Sequence, residues 1–271
     1  MITFPNAKIN LGLSVVEKRN DGYHNIETIF YPLPLRDSLQ IVRAKDGIQQ
    51  FSSSGIGVPG NPDENLVLKA WNLLQQEFKL PPVKTHLHKA IPLGAGLGGG
   101  SADAAFMIKL INEEFELNLT VAKMQEYAGK IGADCPFFIE NKPTFAFGKG
   151  DQFLRAEINL SGYFAVIVKP AINVCTTTAY AGIIPRKPEI SVKEIIKTPI
   201  ENWKENLKND FEETVFKNFS EIRIIKDSLY ENGAVYASMS GSGSAVYGIF
   251  GNEIDLKKTF GYQICWEGWL A

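Results

Sequence analysis

Residues 92–102 form the part of the sequence that most clearly predicts chemistry. They read Pro-Leu-Gly-Ala-Gly-Leu-Gly-Gly-Gly-Ser-Ala, and the glycines lack the Cβ atoms that would hold a backbone away from a ligand. Ser101 stands where an alanine-rich helix begins, and we expect its side chain to cap that helix. Free N–H groups and the positive end of a helix dipole bind phosphate at such places. The segment therefore predicts a phosphate-binding loop.

Other kinds of glycine loop fit this segment less well. The spacing Gly94-x-Gly96-x-x-Gly99 matches the dinucleotide fingerprint, which normally follows a fully apolar strand. Residues 83–91 instead alternate between apolar and polar side chains, which predicts a half-exposed strand. The sequence also lacks the Gly-Lys-Ser/Thr of a Walker A loop and the His-Arg-Asp and Asp-Phe-Gly of protein kinases. A linker or tight turn is the structural alternative, but tight turns need fewer glycines.

Three further segments carry side chains suited to phosphate chemistry. A strand near the N-terminus places Lys8 and Asn10 on one face, because side chains alternate along a strand. The apolar turn Gly132–Phe138 contains the carboxylate of Asp134, and residues 238–245 form a second loop of small residues. A solvated strand lysine and a turn carboxylate are the ordinary interpretations of each residue alone. Their occurrence together with the glycine loop favours a catalytic pair.

Hydrophobic periodicity and the positions of glycine, proline and capping residues predict the strands and helices that carry these residues. In the first half of the chain we expect strands over 1–52 with turns at Asn20–Gly22 and Asp46–Gly47, and a loop over 52–60. Three helices should follow, from Asp63 to about Phe78, from the glycine loop to about Phe115, and over Val121–Ile131. In the second half we expect a buried strand over Tyr163–Val168, short helices over 185–209, helices over about 210–231, and strands over 234–238 and 245–250.

The four segments together resemble the small-molecule kinases named for galactokinase, homoserine kinase, mevalonate kinase and phosphomevalonate kinase, the GHMP family. They occur in the family's order over nearly the whole chain, and the glycine loop and Met-Ser-Gly-Ser-Gly are quite specific to it. The run Asp21-Gly22-Tyr23-His24 narrows the resemblance to members whose alcohol acceptor carries a cytidine diphosphate group. The resemblance implies an ATP-dependent kinase for such a small-molecule acceptor, with Mg²⁺ accompanying the nucleotide.

The resemblance also implies a fold and a division of the chain. It predicts an α+β protein of two domains with the GHMP kinase fold. Residues 1–155 would form a mixed α/β domain with the phosphate-binding glycine loop, and residues 156–271 a ferredoxin-like α/β domain.

Roles for individual residues follow from the resemblance. Asp134 would accept the proton of the acceptor hydroxyl or only orient that hydroxyl, and Lys8 would stabilise negative charge at the reaction centre. Ser101 would also contact Mg²⁺. The implied ATP-binding residues are Pro92, Leu93, Gly94, Ala95, Gly96, Leu97, Gly98, Gly99, Gly100, Ser101 and Ala102.

The resemblance assigns the acceptor to a third set of residues. Tyr23 and His24 would hold the cytosine, and Tyr180 would supply a second stacking wall. Without the resemblance, Tyr23 and His24 read as part of an ordinary turn after Asp21-Gly22. The implied substrate-binding residues are Asn10, Tyr23, His24, Tyr180, Gly241 and Ser242.

Composition limits the classes of partner. The chain has 271 residues and a formal net charge of −2, which argues against general binding of nucleic acid or membrane surfaces. We expect no secretory signal at the N-terminus, because residues 1–6 lack a basic and apolar leader. Three cysteines without Cys-x-x-Cys spacing predict free thiols and a cytoplasmic protein, with Cys135 as a packing thiol. The oligomeric state, monomer or homodimer, stays open.

Two alternatives remain at this point. Another kinase of the family, acting on homoserine or a mevalonate-type acceptor, is disfavoured by the Asp21–His24 run. A non-catalytic ligand-binding relative is disfavoured because Lys8, Ser101 and Asp134 are all present.

Overall fold

The computed structural model describes residues 1–61 and 64–270. Among these residues the strands are β1 (Ile2–Thr3), β2 (Asn6–Lys18), β3 (His24–Arg36), β4 (Ser38–Arg43), β5 (Gln50–Gly55), β6 (Val83–Lys89), β7 (Thr144–Phe147), β8 (Gln152–Arg155), β9 (Phe164–Val168), β10 (Tyr236–Met239), β11 (Val246–Phe250) and β12 (Ile264–Trp269).

The α-helices among the same residues are α1 (Leu66–Phe78), α2 (Gly99–Glu114), α3 (Val121–Ile131), α4 (Phe137–Glu140), α5 (Thr176–Tyr180), α6 (Val192–Ile195), α7 (Trp203–Asn206), α8 (Phe211–Asn218), α9 (Ser220–Glu231) and α10 (Lys257–Phe260). Short 3₁₀ turns cover Ile200–Asn202 and Gly261–Gln263. No helix in the described part of the chain combines the length and the apolar character needed to cross a membrane.

The chain divides into two compact units, each assembled from separate segments. Unit 1 consists of Met1–Ala7, Pro32–Leu93 and Gly98–Lys142. Unit 2 consists of Lys8–Tyr31, Gly94–Leu97 and Pro143–Ala271. The division into domains at residues 155 and 156 stays a prediction, because compact packing units and family domains divide a chain by different criteria.

Unit 1 contains a four-stranded sheet with the strand order β1-β4-β6-β5. β4 pairs antiparallel with β1 and β6, and β5 pairs parallel with β6. Along β6, Val83 and Leu87 are buried while His86 and His88 are exposed. This alternation confirms the half-exposed strand that the sequence predicts. Helix α2 packs against α1, α3 and β4 and carries most of its side chains into the core.

The start of α2 differs from the prediction. Ser101 does not cap the helix; the N-cap is Gly98, with φ 69°, and it makes no side-chain capping hydrogen bond. Consecutive glycines let the chain enter the helix earlier, which places Ser101 in the first turn. By contrast, α3 has the predicted bounds, and the Thr120 hydroxyl accepts a hydrogen bond from the N–H of Lys123 at 3.2 Å. The predicted start of α1 at Asp63 lies outside the described residues.

The loop predicted for residues 52–60 is wrong over its first part, because β5 continues to Gly55. Backbone pairing with β6 stabilises this serine-rich strand. The hydroxyls of Ser52 and Ser54 also hydrogen-bond the two ring nitrogens of His86, at 2.8 and 2.9 Å. A long-range partner thus overrides the local preference of Ser and Gly for a loop.

Unit 2 contains two four-stranded sheets, with the orders β2-β3-β7-β8 and β10-β11-β9-β12. In the first sheet β7 pairs antiparallel with β3 and β8, and in the second sheet every neighbouring pair is antiparallel. In the second sheet the chain runs β9, helices, β10, β11, a short helix and β12, which is the βαββαβ pattern of ferredoxin-like folds. This confirms the predicted ferredoxin-like part of the fold. Helix α9 covers β10 and β11, and the core between them includes Val166, Ile225, Leu229 and Val246.

Candidate active site

Lys8 lies on β2 with only 3% of its surface exposed. Its Nζ donates a hydrogen bond to Oδ1 of Asn10 at 2.5 Å and lies 4.7 Å from the centre of the Phe30 ring. A buried ammonium group is costly unless the surrounding groups compensate its lost hydration. The interpretation of Lys8 as a solvated strand residue is therefore excluded.

Asn10 is held so that its side-chain oxygen faces Lys8. Its Nδ2 donates to the hydroxyl of Thr28 at 3.0 Å, and the Thr28 hydroxyl donates onward to the carbonyl of Gly12 at 2.5 Å. The Asn10 carbonyl accepts a hydrogen bond from the Tyr247 hydroxyl at 2.7 Å. Because the amide nitrogen is used by Thr28, the amide oxygen remains for the lysine.

The glycine segment adopts backbone conformations that require glycine. Gly94, Gly96 and Gly98 have φ of 58°, 74° and 69°. At Gly96 space is also limiting, since a Cβ would lie 1.9 Å from the carbonyl oxygen of Ser240. Within unit 2, glycine at position 96 thus allows the backbone of the glycine segment to approach the backbone at Ser240 closely.

Ser240 connects the Lys8 strand with the glycine segment. Its hydroxyl accepts a hydrogen bond from the N–H of Asn10 at 3.2 Å and donates one to the carbonyl of Gly96 at 2.8 Å. Gly241 is also close, since a Cβ there would lie 3.2 Å from Oδ1 of Asn10. The structure thus brings Lys8, Asn10, Gly96 and Gly241 together. The sequence predicted a role for the small-residue loop that contains Ser240, but it assigned Gly241 and Ser242 to the site and did not single out the Ser240 hydroxyl.

The first turn of α2 belongs to unit 1. The first N–H groups of any α-helix have no partner within the helix, and here the first turn contains no acidic residue. Gly99 is required by packing, because a Cβ would lie 2.8 Å from Cγ2 of Ile91. This helix start has the donors and the dipole that an anionic ligand needs.

Asp134 lies, half-buried, in the turn that leads into α4 of unit 1. Burial raises the pKa of the adjacent Cys135 thiol to about 12; the charge of Asp134 adds to the shift and a hydrogen bond with the Ser101 side chain opposes it. The Asp134 turn is therefore a neighbour of the first turn of α2. Cys135 is a buried packing thiol, as predicted. Lys8 and Asp134 belong to different units.

His24 and Tyr180 form an aromatic stack in unit 2. Their ring centroids are 4.7 Å apart and the rings are inclined by 19°. Tyr180 also packs edge-on against Phe211, with centroids 4.7 Å apart. Burial, together with the charge of Lys18, lowers the pKa of His24 below its usual 6.5. The stacked imidazole is consequently neutral at pH 7.

Tyr23 and Ser242 lie near other polar groups of unit 2. The Tyr23 side chain is exposed, and Nζ of Lys149 lies 5.2 Å from its ring centre. The Ser242 hydroxyl is 3.3 Å from that of Thr176, at the start of α5. The Tyr23 ring therefore has the ammonium group of Lys149 over one of its faces.

Sequence reasoning missed a buried ion network in unit 1. Lys89, at the end of β6, pairs with Asp37 and, at 2.7 Å, with Asp103 on α2. Asp37 also accepts hydrogen bonds from the N–H groups of Ala90 and Ile91 at 2.6 and 2.8 Å. Burial raises the pKa of Asp103 to about 7. The one feature of the sequence that could have indicated this network is Asp103, a single carboxylate within the apolar part of α2.

Among the described residues, no three or more His, Cys, Asp or Glu side chains are grouped as metal ligands. His86 and His88, which share one strand face, hydrogen-bond to Ser54 at 2.9 and 3.0 Å.

Comparison with known proteins identifies the family of the chain. Residues 65–142 match the family described as GHMP kinases N terminal domain, and residues 191–259 match GHMP kinases C terminal. A Bacteroides fragilis protein named 4-diphosphocytidyl-2-C-methyl-D-erythritol kinase is 55% identical over 260 residues, covering 95% of each chain. A Bacteroides thetaiotaomicron protein of the same name is 54% identical and covers 100% of both chains.

Solved structures give the same result. The crystal structure of a 4-(cytidine 5'-diphospho)-2C-methyl-D-erythritol kinase matches with a TM-score of 0.80 and 30% identity, over 92% of this chain and 90% of that one. Streptococcus pneumoniae phosphomevalonate kinase has a TM-score of 0.70 at 11% identity, with 100% of both chains covered, which shows the shared fold. The resemblance found in the sequence is thereby confirmed: the chain belongs to the GHMP kinases.

Proposed function

We propose that the chain transfers the γ-phosphoryl group of ATP to the 2-hydroxyl group of 4-diphosphocytidyl-2-C-methyl-D-erythritol. Membership of a kinase family implies ATP as a substrate, and full-length relatives named for this acceptor support its identity. The observation that carries the proposal is the Ser240 hydroxyl, which joins the strand of the buried Lys8 to Gly96 of the glycine segment. It gives a fixed cation beside a backbone suited to phosphate.

In the proposed reaction the acceptor oxygen attacks the γ-phosphorus and ADP leaves. The proton of the acceptor hydroxyl passes to the carboxylate of Asp134. Lys8 stabilises the negative charge that develops on the transferring oxygens, and little covalent chemistry is left for the protein. Asn10, which orients the Lys8 ammonium, also contacts the acceptor in this proposal.

The glycine segment would bind the nucleotide phosphates through backbone N–H groups. Left-handed glycines and the start of α2 support this role, since both expose donors to an anion. The residues assigned to ATP remain 92–102. Substitutions that add a Cβ there are expected to weaken nucleotide binding.

Mg²⁺ is part of the proposal, and the residues present fit it in one respect. Magnesium keeps several waters and binds through few protein oxygens when nucleotide phosphates supply the others. The half-buried hydroxyl of Ser101, in the first turn of α2, would be such an oxygen. When bound, the ion would neutralise charge on the phosphates.

The cytosine would be held by Tyr23, His24 and Tyr180. The stack of His24 on Tyr180 supports this role, because its flat aromatic faces suit a base and a neutral imidazole can hydrogen-bond the base edge. Gly241 and Ser242 would contact the diphosphate of the acceptor. The proposal includes a cytosolic location, which suits three cysteines that form no disulfide among the described residues.

The test measures ADP release from Mg-ATP with three acceptors offered separately: the diphosphocytidyl compound, homoserine and mevalonate. We expect turnover with the first alone, and a product whose new phosphate is located on the 2-oxygen by ³¹P NMR. The Asp134→Asn variant should lose turnover, while Asp46→Asn, at an exposed carboxylate paired with Lys84, should keep it. Turnover on another acceptor, or none with a folded ATP-binding protein, would reject the proposal.

A further inference from the structure

Asn209 lies just before α8 and is 97% buried, with 3% of its surface exposed. Its Nδ2 donates two hydrogen bonds of 2.8 Å, to the backbone carbonyls of Met239 and Gly241. Its Oδ1 accepts a hydrogen bond from the N–H of Phe211 at 3.0 Å. This pattern needs two donors and one acceptor on a single short side chain, which asparagine supplies.

The two carbonyls that Asn209 binds belong to the residues on either side of Ser240. The amide therefore holds the backbone of Ser240 from both directions. The Ser240 hydroxyl in turn contacts Asn10 and Gly96. The position of Asn209 thus determines where the connecting hydroxyl lies, although Asn209 is remote in sequence from both of its partners.

The turn that carries Asn209 is itself anchored to β2. The N–H of Leu13 donates to the carbonyl of Lys208, and the N–H of Asp210 donates to the carbonyl of Leu13, both at 2.8 Å. β2 is the strand of Lys8 and Asn10. The turn that carries Asn209 is therefore joined to β2 by backbone hydrogen bonds and to the Ser240 loop by the Asn209 side chain.

Glu212, in the first turn of α8, binds the end of β10, the strand that leads into the Ser240 loop. Its Oε1 accepts hydrogen bonds from the N–H of Met239 at 2.8 Å and from the Ser238 hydroxyl at 3.1 Å. Its Oε2 pairs with Lys226 at 2.6 Å. The end of β10 is consequently fixed, and the Asn209 amide determines the course of the chain beyond it.

We propose that Asn209 is a positioning residue for phosphoryl transfer, which acts through Ser240 to place Asn10 and hence the Lys8 ammonium. The inference rests on the role proposed above for Lys8. Asn209 itself touches no reacting group in this proposal. Displacement of a catalytic group by about 1 Å costs on the order of 100-fold in rate, so loss of the clamp should appear mainly in kcat.

The first variant is Asn209→Asp, which keeps the size of the side chain but replaces the NH₂ group by an oxygen facing two carbonyl oxygens. The matched control is Asn232→Asp, whose Nδ2 likewise donates to a backbone carbonyl, that of Ser228 at 2.8 Å. Melting temperature, kcat and both KM values are measured with Mg-ATP and the diphosphocytidyl acceptor. We expect kcat of Asn209→Asp to fall about 10- to 100-fold, while each KM changes by a smaller factor than kcat. The control should keep the kcat of the unmodified chain.

A second variant, Ser240→Ala, removes only the connecting hydroxyl and decides the matter if Asn209→Asp fails to fold. It should lower kcat to a similar extent, and the double variant should lose little more, because both changes break one connection. A folded Asn209→Asp or Ser240→Ala protein with unchanged kcat would overturn the inference, as would additive effects in the double variant. Absence of turnover in the unmodified chain would reject the proposed function, and the inference with it.

Discussion

His24 and Tyr180 stack on each other with ring centroids 4.7 Å apart, although one follows a hairpin turn and the other ends a short helix. Phe211 packs nearly perpendicular to the Tyr180 ring, at an angle of 82°. Two aromatic residues that the family resemblance assigns separately to the acceptor therefore form one surface.

Replacing Tyr180 with Leu should raise the KM for the diphosphocytidyl acceptor. Aromatic pairs contribute about 0.5–1.5 kcal/mol beyond their buried area, which corresponds to roughly 2- to 12-fold. Because stacking holds the acceptor equally before and during transfer, kcat should stay nearly constant. Steady-state kinetics measure both constants. Tyr180→Phe retains the ring and serves as the control, and an equal rise in KM for both variants would contradict the stacking role.

The acceptor KM should depend on pH through His24. Burial and Lys18 lower the pKa of His24 in the folded protein, so the ring is neutral above pH 6.5. The lowered pKa of His24 contributes to the stability of the fold above pH 6.5, and this contribution is lost as the pH falls through the lowered pKa. Because the neutral ring is the form proposed to hydrogen-bond the cytosine, we expect the acceptor KM to be flat above pH 6.5 and to rise below it. In His24→Gln this part of the pH profile should disappear; its persistence would assign the ionisation to another group.

Gly96→Ala should destabilise the protein and abolish nucleotide binding. The new Cβ would lie 1.9 Å from the Ser240 carbonyl oxygen, and the left-handed φ of 74° costs about 1–2 kcal/mol for other residues. Thermal unfolding and titration calorimetry with ATP measure the two effects. Gly57→Ala is the control, because its Cβ would meet nothing within 4 Å and its φ is outside the left-handed region. Equal ATP affinity in both variants would refute the requirement at Gly96.

Lys8→Met should lower kcat by about 100- to 1000-fold, the magnitude typical of removing one preorganised charge-stabilising group. Lys109→Met is a matched control, because Nζ of Lys109 also lies over an aromatic ring, that of Phe106, at 4.2 Å. Single-turnover measurements with saturating Mg-ATP separate the chemical step from binding. If both lysine variants turned over at the same rate, the charge of Lys8 would not act in the reaction.

Lys89→Met should reduce the free energy of unfolding by about 3–5 kcal/mol, since it leaves the buried carboxylates of Asp37 and Asp103 without their cation. Lys84→Met removes the exposed ion pair with Asp46 on the same strand and should cost about 0–1 kcal/mol. Urea unfolding of both variants measures the difference. Equal midpoints would mean that the buried network does not stabilise unit 1.

Features that depend on local chemistry could be predicted from the sequence. Consecutive glycines before an alanine-rich run can form little other than a loop entering a helix, and alternation along 83–91 requires a half-exposed strand. The bounds of α3 were also predicted correctly, because Thr120 and Gly132 are residue types that begin and end helices. Motif order along the chain was sufficient for the family and for the ferredoxin-like pattern.

Which groups meet from distant parts of the chain depends on how the elements pack, and the sequence did not predict it. Residues 50–55 form a strand because β6 supplies their hydrogen bonds. Lys89 is buried because the carboxylates of Asp37 and Asp103 pair with its ammonium group. Asn209 does not stand out in the sequence, and the motif that contains Ser240 does not show which groups its hydroxyl joins. Their importance arises from hydrogen bonds between residues far apart in the chain, and no local pattern encodes such bonds.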